Sequence, residues 1–163
     1  MKTILTLIFS FLSLTAAAQV EQDNKQKIQQ VLNTFMRCIS NKDSTTFYSL
    51  FHQDPVVWIG VFGSKTTEYV QKQDKNFNPV ITDNYTSFFR SLLPINAEEK
   101  FYNTVIVEDG YIASVTFDYS FWQDRKKLNW GKESWGMIKV KDQWKISSVI
   151  FSMEYEAIKA EKK

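Results

Sequence analysis

Apolar residues recur at steps of three and four along Ile28, Val31, Leu32, Phe35, Met36 and Ile39, which predicts one amphipathic helix over about residues 24–40. Asp23 and Gln26 have the spacing of a capping box at its start. Asn41-Lys42-Asp43 interrupts the pattern, and Asp43 or Ser44 is placed to cap a second short helix carrying Phe47, Leu50 and Phe51. The segment PVVWIGVFG, residues 55–63, is rich in β-branched and aromatic residues and reads as a strand. Ser64 can cap a brief helix through Glu68 and Tyr69, and the polar QKQDKNFNP that follows reads as a loop. Tyr85, Phe88, Phe89 and Leu92 again have helical spacing, with Thr82 or Asp83 as cap and Pro94 as stop. From residue 99 the period becomes that of strands. Residues 101–108 and 111–122 are joined by Asp109-Gly110, a hairpin signal. Strands over 128–140 and 144–153 follow, separated by Lys141-Asp142-Gln143. Helices, a lone strand and then a four-strand antiparallel meander predict an α+β fold with helices on one face of a curved sheet.

The first residues have a different pattern. Lys2 precedes the apolar run ILTLIFSFLSL and then Ala16, Ala17 and Ala18, which predicts a signal peptide over residues 1–18, cut between Ala18 and Gln19. The run is too short for a stable membrane anchor and no second long apolar segment follows, so the expected product is an exported, secreted or periplasmic single domain over residues 19–163 with no membrane association.

Composition narrows the partners. Lys plus Arg number 20 against 18 Asp plus Glu, and loss of Lys2 with the leader reduces the excess to one. That near-neutral balance gives no electrostatic case for nucleic acid, and the cluster KAEKK at the C-terminus reads as a solvated tail. Cys38 is the only cysteine, which excludes an intrachain disulfide and suits a small buried hydrophobe on the first helix. With 13 Phe, 7 Tyr and 5 Trp, the chain has rings enough for a filled core or for the wall of a cavity.

The stretches NKDSTTFYSLF, GYIASVTFDYSF, NWGKESWGMIKV and QWKISSVIFS resemble the nuclear transport factor 2-like superfamily, with the nearest likeness to its small SnoaL-like and exported bacterial members. The resemblance covers nearly all of the chain after the leader, and its motifs are packing motifs. It implies a cone-shaped, cystatin-like fold whose open end admits ligands, and a homodimer formed through the sheet. Ketosteroid isomerase, an enzyme of that superfamily, uses a Tyr on the first helix, an Asp base on the first strand and a protonated Asp on a later strand. Here Phe35 falls at the helical Tyr and Ile59 at the base. Neither side chain can do that proton chemistry, so the resemblance does not carry the isomerase mechanism to this chain.

Candidate chemistry in the meander depends on register. A two-residue turn at Arg125-Lys126 would set Asp118 directly across from Glu133 on one face, with Thr116 opposite Trp135 and Ser120 opposite Gly131. Opposed carboxyls in a cone would raise at least one pKa and supply an acid or base. The alternative is that both face solvent or pair with lysines such as Lys132 and Lys145. The other face, with Val115, Phe117, Tyr119, Phe121, Ile138 and Val140, is the more apolar and on burial grounds should meet the helices. Register decides between these readings. Gly60, Gly131 and Gly136 lie inside strands, where glycine marks a bulge or a close approach.

Trp58, Tyr85, Phe89 and Trp135 are the aromatic candidates for a pocket wall, and Asp118, Tyr119 and Glu133 the candidates for its polar contacts. His52 is the single histidine, which excludes a multi-histidine metal site, and Asp54 is its only near acidic neighbour. Ser148 and Ser152 lack a nucleophile context, and Asn84-Tyr85-Thr86 is a sequon of consequence only in a eukaryotic secretory route. No metal or cofactor is expected. Three functions stay open: binding of a small apolar or aromatic ligand, an isomerase, cyclase or dehydratase using Asp118 or Glu133 as general acid or base, and a dimeric interaction module.

Overall fold

The structure, a computed structural model, describes residues 2–53 and 55–158, with side chains from residue 19 onward. The side chains of the expected leader, Asp54 and the residues 159–163 of the basic tail lie outside the described residues. Among the described residues, four helices and six strands run in the order α1 (Lys2–Asn41), α2 (Ser44–Ser49), β1 (Val57–Phe62), α3 (Ser64–Gln71), β2 (Val80–Thr82), α4 (Tyr85–Leu92), β3 (Ala97–Glu108), β4 (Ile112–Gln123), β5 (Lys126–Val140) and β6 (Gln143–Tyr155). They form an α+β fold in which the helices pack on one face of a curled sheet with strand order β2-β1-β6-β5-β4-β3. No helix among the described residues is long and apolar enough to cross a membrane.

Several expectations shift by a few residues. The capping box at Asp23 is not formed, because α1 continues through it without a Gly or Pro to stop it, and Asp23 instead pairs with Lys27 one turn on at 2.7 Å. Asp43 does cap α2, its carboxylate accepting from the Thr46 N–H, and Asn84, rather than Thr82 or Asp83, caps α4 in the same way. Between the predicted loop and α4 lies a short strand that the sequence pattern did not predict, β2, which borders β1. The sheet is mixed: β1 enters parallel to β6, and the remaining pairs are antiparallel.

The core lies between α1, α2 and α4 and the inner face of the sheet. Phe35 of α1 is its hub, with ring centroids 4.9 Å from both Phe47 and Trp135. Cys38 is buried beside it, and burial pushes its thiol pKa up, in keeping with a small hydrophobe. Midway along α1 the buried Asn24 amide donates to the Glu108 carboxylate of β3 and accepts from Lys139 of β5, which ties the helix to the sheet.

The first two of the meander's three turns lie one residue from their expected centres. In the first, Asp109 N–H donates to the Ile112 carbonyl, so the central pair is Gly110–Tyr111, with Gly110 at φ 93° as only glycine takes easily. The Asp109 carboxylate accepts from the N–H groups of Tyr111 and Ile112 and fixes that choice. In the second, Asp124 and Arg125 take φ 49° and 66°, and Gln123 pairs with Lys126. Aspartate tolerates this left-handed region better than the expected Lys126, and Asn96 anchors Asp124 from both backbone and side chain. A register shift at Phe121–Trp122 then gives Asp118 opposite Lys132, Phe117 opposite Glu133, Thr116 opposite Ser134 and Ser120 opposite Trp130. The expected Asp118–Glu133 pairing is therefore absent. The two acids point to opposite faces, because one residue of slip moves every side chain across the sheet.

Gly136 adjoins a register shift between β5 and β6, as its place inside a strand suggested. Gly131 answers a close approach. Tyr119 lies opposite it and reaches across to β6, where its hydroxyl donates to the Ser152 carbonyl at 3.0 Å. A Cβ on Gly131 would fall 1.9 Å from that same backbone oxygen. Gly131→Ala is expected to cost about 2–3 kcal/mol by forcing β5 from β6, measured as a fall in urea midpoint. An unchanged midpoint would contradict this account of the crossing.

Candidate active site

A cavity of about 320 Å³ lies between the helices and the inner face of the sheet. Its wall is aromatic: Phe35 from α1, Trp58 from β1, Phe88 from α4, Phe121 from β4 and Phe151 from β6. Asp83, Gln123 and Asn129 stand among its polar lining groups. Three further polar groups, Glu99, Tyr119 and Glu133, come from the three neighbouring strands β3, β4 and β5.

Glu133 is only 5% exposed. Its position follows from the observed register, which puts it on the inner face beside Trp135, and the indole Nε1–H donates to its Oε1 at 2.7 Å. Burial pushes its carboxyl up to about 7, and the indole bond opposes that rise. Glu99, 8% exposed, lies opposite Phe121 on the edge strand. Its Oε2 is shielded from solvent and has no hydrogen-bond partner in the protein among the described residues. Burial, then the charge of Glu133, raises its pKa well above the ordinary carboxylate range. Tyr119 is likewise raised, by burial first and then by both carboxylates, so its hydroxyl stays protonated and bound to Ser152. The arrangement is a pair of buried acids, mutually repelling when ionised, against an aromatic wall. Such a pair can hold and release a proton near neutrality.

Of the predicted site residues, Trp58, Tyr119 and Glu133 line this cavity. Asp118 does not. It lies on the outer face, where Asn103 at 2.7 Å and then Lys132 at 2.6 Å hold its carboxylate below the usual range. Trp135 is fully buried behind the cavity and acts through its bond to Glu133. The apolar stripe of α4 divides: Phe88 and Leu92 face the cavity, whereas Tyr85 stacks on Phe51 at 4.3 Å and Phe89 packs on Phe47 at 4.6 Å. Val115, Phe117 and Tyr119 face inward as burial predicted, but Ile138 and Val140 do not share that face, since Ile138 pairs with the exposed Ile112. Trp130 is exposed and Trp144 belongs to the core, so neither walls the cavity. His52 is half-buried after α2, away from the cavity lining.

Glu99 is absent from the sequence candidates, because the strand pattern there reads from Phe101 onward. Its signal was the alternation Ala97, Glu99, Phe101, which puts an acid between two inward apolar positions. No group of three His, Cys, Asp or Glu among the described residues is placed to hold a metal ion.

No family model matches the sequence, and no curated protein matches it. Solved structures do match. A protein of unknown function from Mycobacterium tuberculosis aligns with a TM-score of 0.62 at 14% identity, over 84% of this chain and 75% of its own. An NTF2-like protein with a cystatin-like fold from Novosphingobium aromaticivorans aligns at 0.62 with 9% identity, over 85% and 86%. A candidate scytalone dehydratase from the same organism aligns at 0.61 with 13% identity, over 84% and 88%. At these identities the likeness is one of fold.

Proposed function

We propose that this chain, which has the nuclear transport factor 2-like fold, binds a small, largely apolar molecule in the cavity between its helices and its sheet. The observation that carries the reading is Glu99: a carboxyl oxygen buried without a partner costs free energy unless something else meets it. Here it lines a cavity of about 320 Å³ whose other walls are mostly rings and aliphatic side chains, the size and character of a small-molecule site. Trp58, Tyr119 and Glu133 supply the remaining ligand contacts. The leader-like residues 1–18 support an exported location for this binding.

Native mass spectrometry of the purified protein, with thermal scans against a set of small aromatic compounds, tests the reading. The expected result is a co-purified mass or a rise in Tm of several degrees, since a ligand at about 100 times its Kd stabilises by about 2.7 kcal/mol. An empty protein whose Tm no compound moves would overturn it. The same spectrum reads the homodimer, which the exposed outer-face residues Val57, Ile59, Val61 and Ile150 support.

A second reading, general acid–base catalysis of the isomerase, cyclase or dehydratase kind, is favoured by Glu133. A carboxyl near 7 can both give and take a proton at neutral pH. The candidate scytalone dehydratase of the same fold offers one reaction class to assay first. Loss of any detected turnover in both Glu99→Gln and Glu133→Gln, with Asp118→Asn unaffected, is the pattern this reading requires.

A further inference from the structure

We propose that the molecule taken by this cavity carries a cationic nitrogen on an apolar frame, an ammonium that is met by Glu99 and Glu133. The inference rests on the cavity being a binding site, and adds the charge class of what it binds.

The lining is one-signed. Asp83, Glu99 and Glu133 are the charged residues of the wall, and none of its residues is Lys, Arg or His. The contributions of α1, α4, β1, β2 and β6 to the wall are all uncharged, and the one other titratable lining group, the Tyr119 hydroxyl, is held by the Ser152 carbonyl. Nearby lysines are engaged elsewhere. Lys42 Nζ donates to the carbonyls of Leu92 and Ile95, Lys100 lies over the Trp122 ring, and Lys132 pairs with Asp118 on the outer face. Among the described residues, the cavity wall therefore offers no counter-charge to the two buried acids.

The hydrogen-bond inventory points the same way. Among the described residues, Glu99 Oε2 meets no donor, and Glu133 receives one from Trp135. An ammonium brings up to three N–H donors and a positive charge, and so satisfies both deficits at once. The faces of Trp58, Phe88 and the other wall rings attract a cation and give nothing to an anion. A carboxylate ligand would meet like charge from both acids.

In the free protein, burial and mutual repulsion favour the protonated forms of these acids. A bound ammonium reverses that preference, so its uptake releases protons and strengthens as the pH rises through the range of the pair.

Isothermal titration of the wild-type protein with naphthylmethylamine, naphthylmethanol and naphthylacetate, at about pH 6 and about pH 8 in buffers of different ionisation enthalpy, tests the assignment. The expected result is an amine bound at least about tenfold more tightly than the alcohol at the higher pH, with proton release and a smaller preference at the lower one. The acid should not bind. Glu99→Gln and Glu133→Gln should each erase the amine's preference while alcohol binding persists, and the wild-type pH and proton-release data stand even where a variant does not fold. If the alcohol or the acid binds as tightly as the amine, the charge class is wrong while the binding site survives. If none of the three binds at either pH, the charge class and the cavity reading fall together.

Discussion

Raising the pH from about 5 to about 8 is expected to lower the stability of this protein through Glu133. Burial moves its carboxyl from an ordinary 4.5 up to about 7. Below the unfolded value both states are protonated and the contribution is fully present. Between the two values the folded state keeps a proton that the unfolded chain has lost, so stability falls as pH rises, and the loss is complete above the folded value. For Glu133 alone it amounts to roughly 3 kcal/mol, at about 1.4 kcal/mol for each pKa unit. Glu99, raised by burial and by the Glu133 charge, contributes with the same sign. Asp118 acts with the opposite sign, since its pKa is lowered by Asn103 and Lys132, and its contribution is lost only as pH falls through that low value. The measurement is Tm against pH for the wild type and Glu133→Gln. The variant should lie above the wild type at alkaline pH and decline less steeply, whereas parallel profiles would show that Glu133 is not a buried acid.

Replacing Trp135 by Phe should cost about 3 kcal/mol or more, although the new residue is also aromatic. The indole is fully buried, 4.9 Å from the ring of Phe35 and 5.1 Å from that of Phe117, so the smaller ring leaves a void in the hub of the core. It also removes the Nε1–H that meets Glu133 Oε1. That bond opposes the rise in the Glu133 pKa, so its loss should push the carboxyl higher still. Urea denaturation reads the first effect and carbon-detected NMR titration of the Glu133 carboxyl reads the second. A stable variant with an unshifted Glu133 would break the proposed link between core and cavity. Trp135 is thus a positioning residue, and the question its sequence context raised, core or pocket wall, resolves to core with a hand on the pocket.

The elements were legible in the sequence because their signals are local. Spacing of Ile28 through Ile39, the Asp43 cap and the alternation of the meander strands depend on residues within one or two turns of each other. The candidate site was legible in part. Glu133, Tyr119 and Trp58 were found because an acid or a large ring inside a strand pattern is conspicuous. The expected Arg125-Lys126 turn, one residue late, groups Asp118 with Glu133, and a strand beginning at Phe101, four residues after the true start at Ala97, leaves out Glu99. Both misses are small along the chain, and each changes which face or which strand carries an acid.

By itself, then, the sequence determined an α+β chain of helices followed by a meander, the residues able to fill a core, and the near-neutral charge that gives no electrostatic case for nucleic acid. Tertiary structure alone decided that Glu133 turns inward and Asp118 outward, that β1 joins β6 in parallel, and that Glu99 arrives beside Glu133 from a strand 34 positions away in the chain. The physical reason is that a strand's side-chain period is two. The side taken by an acid is fixed by turns and bulges whose positions depend on anchors elsewhere, such as Asn96 on Asp124, and a one-residue choice there moves a carboxyl from water to the interior.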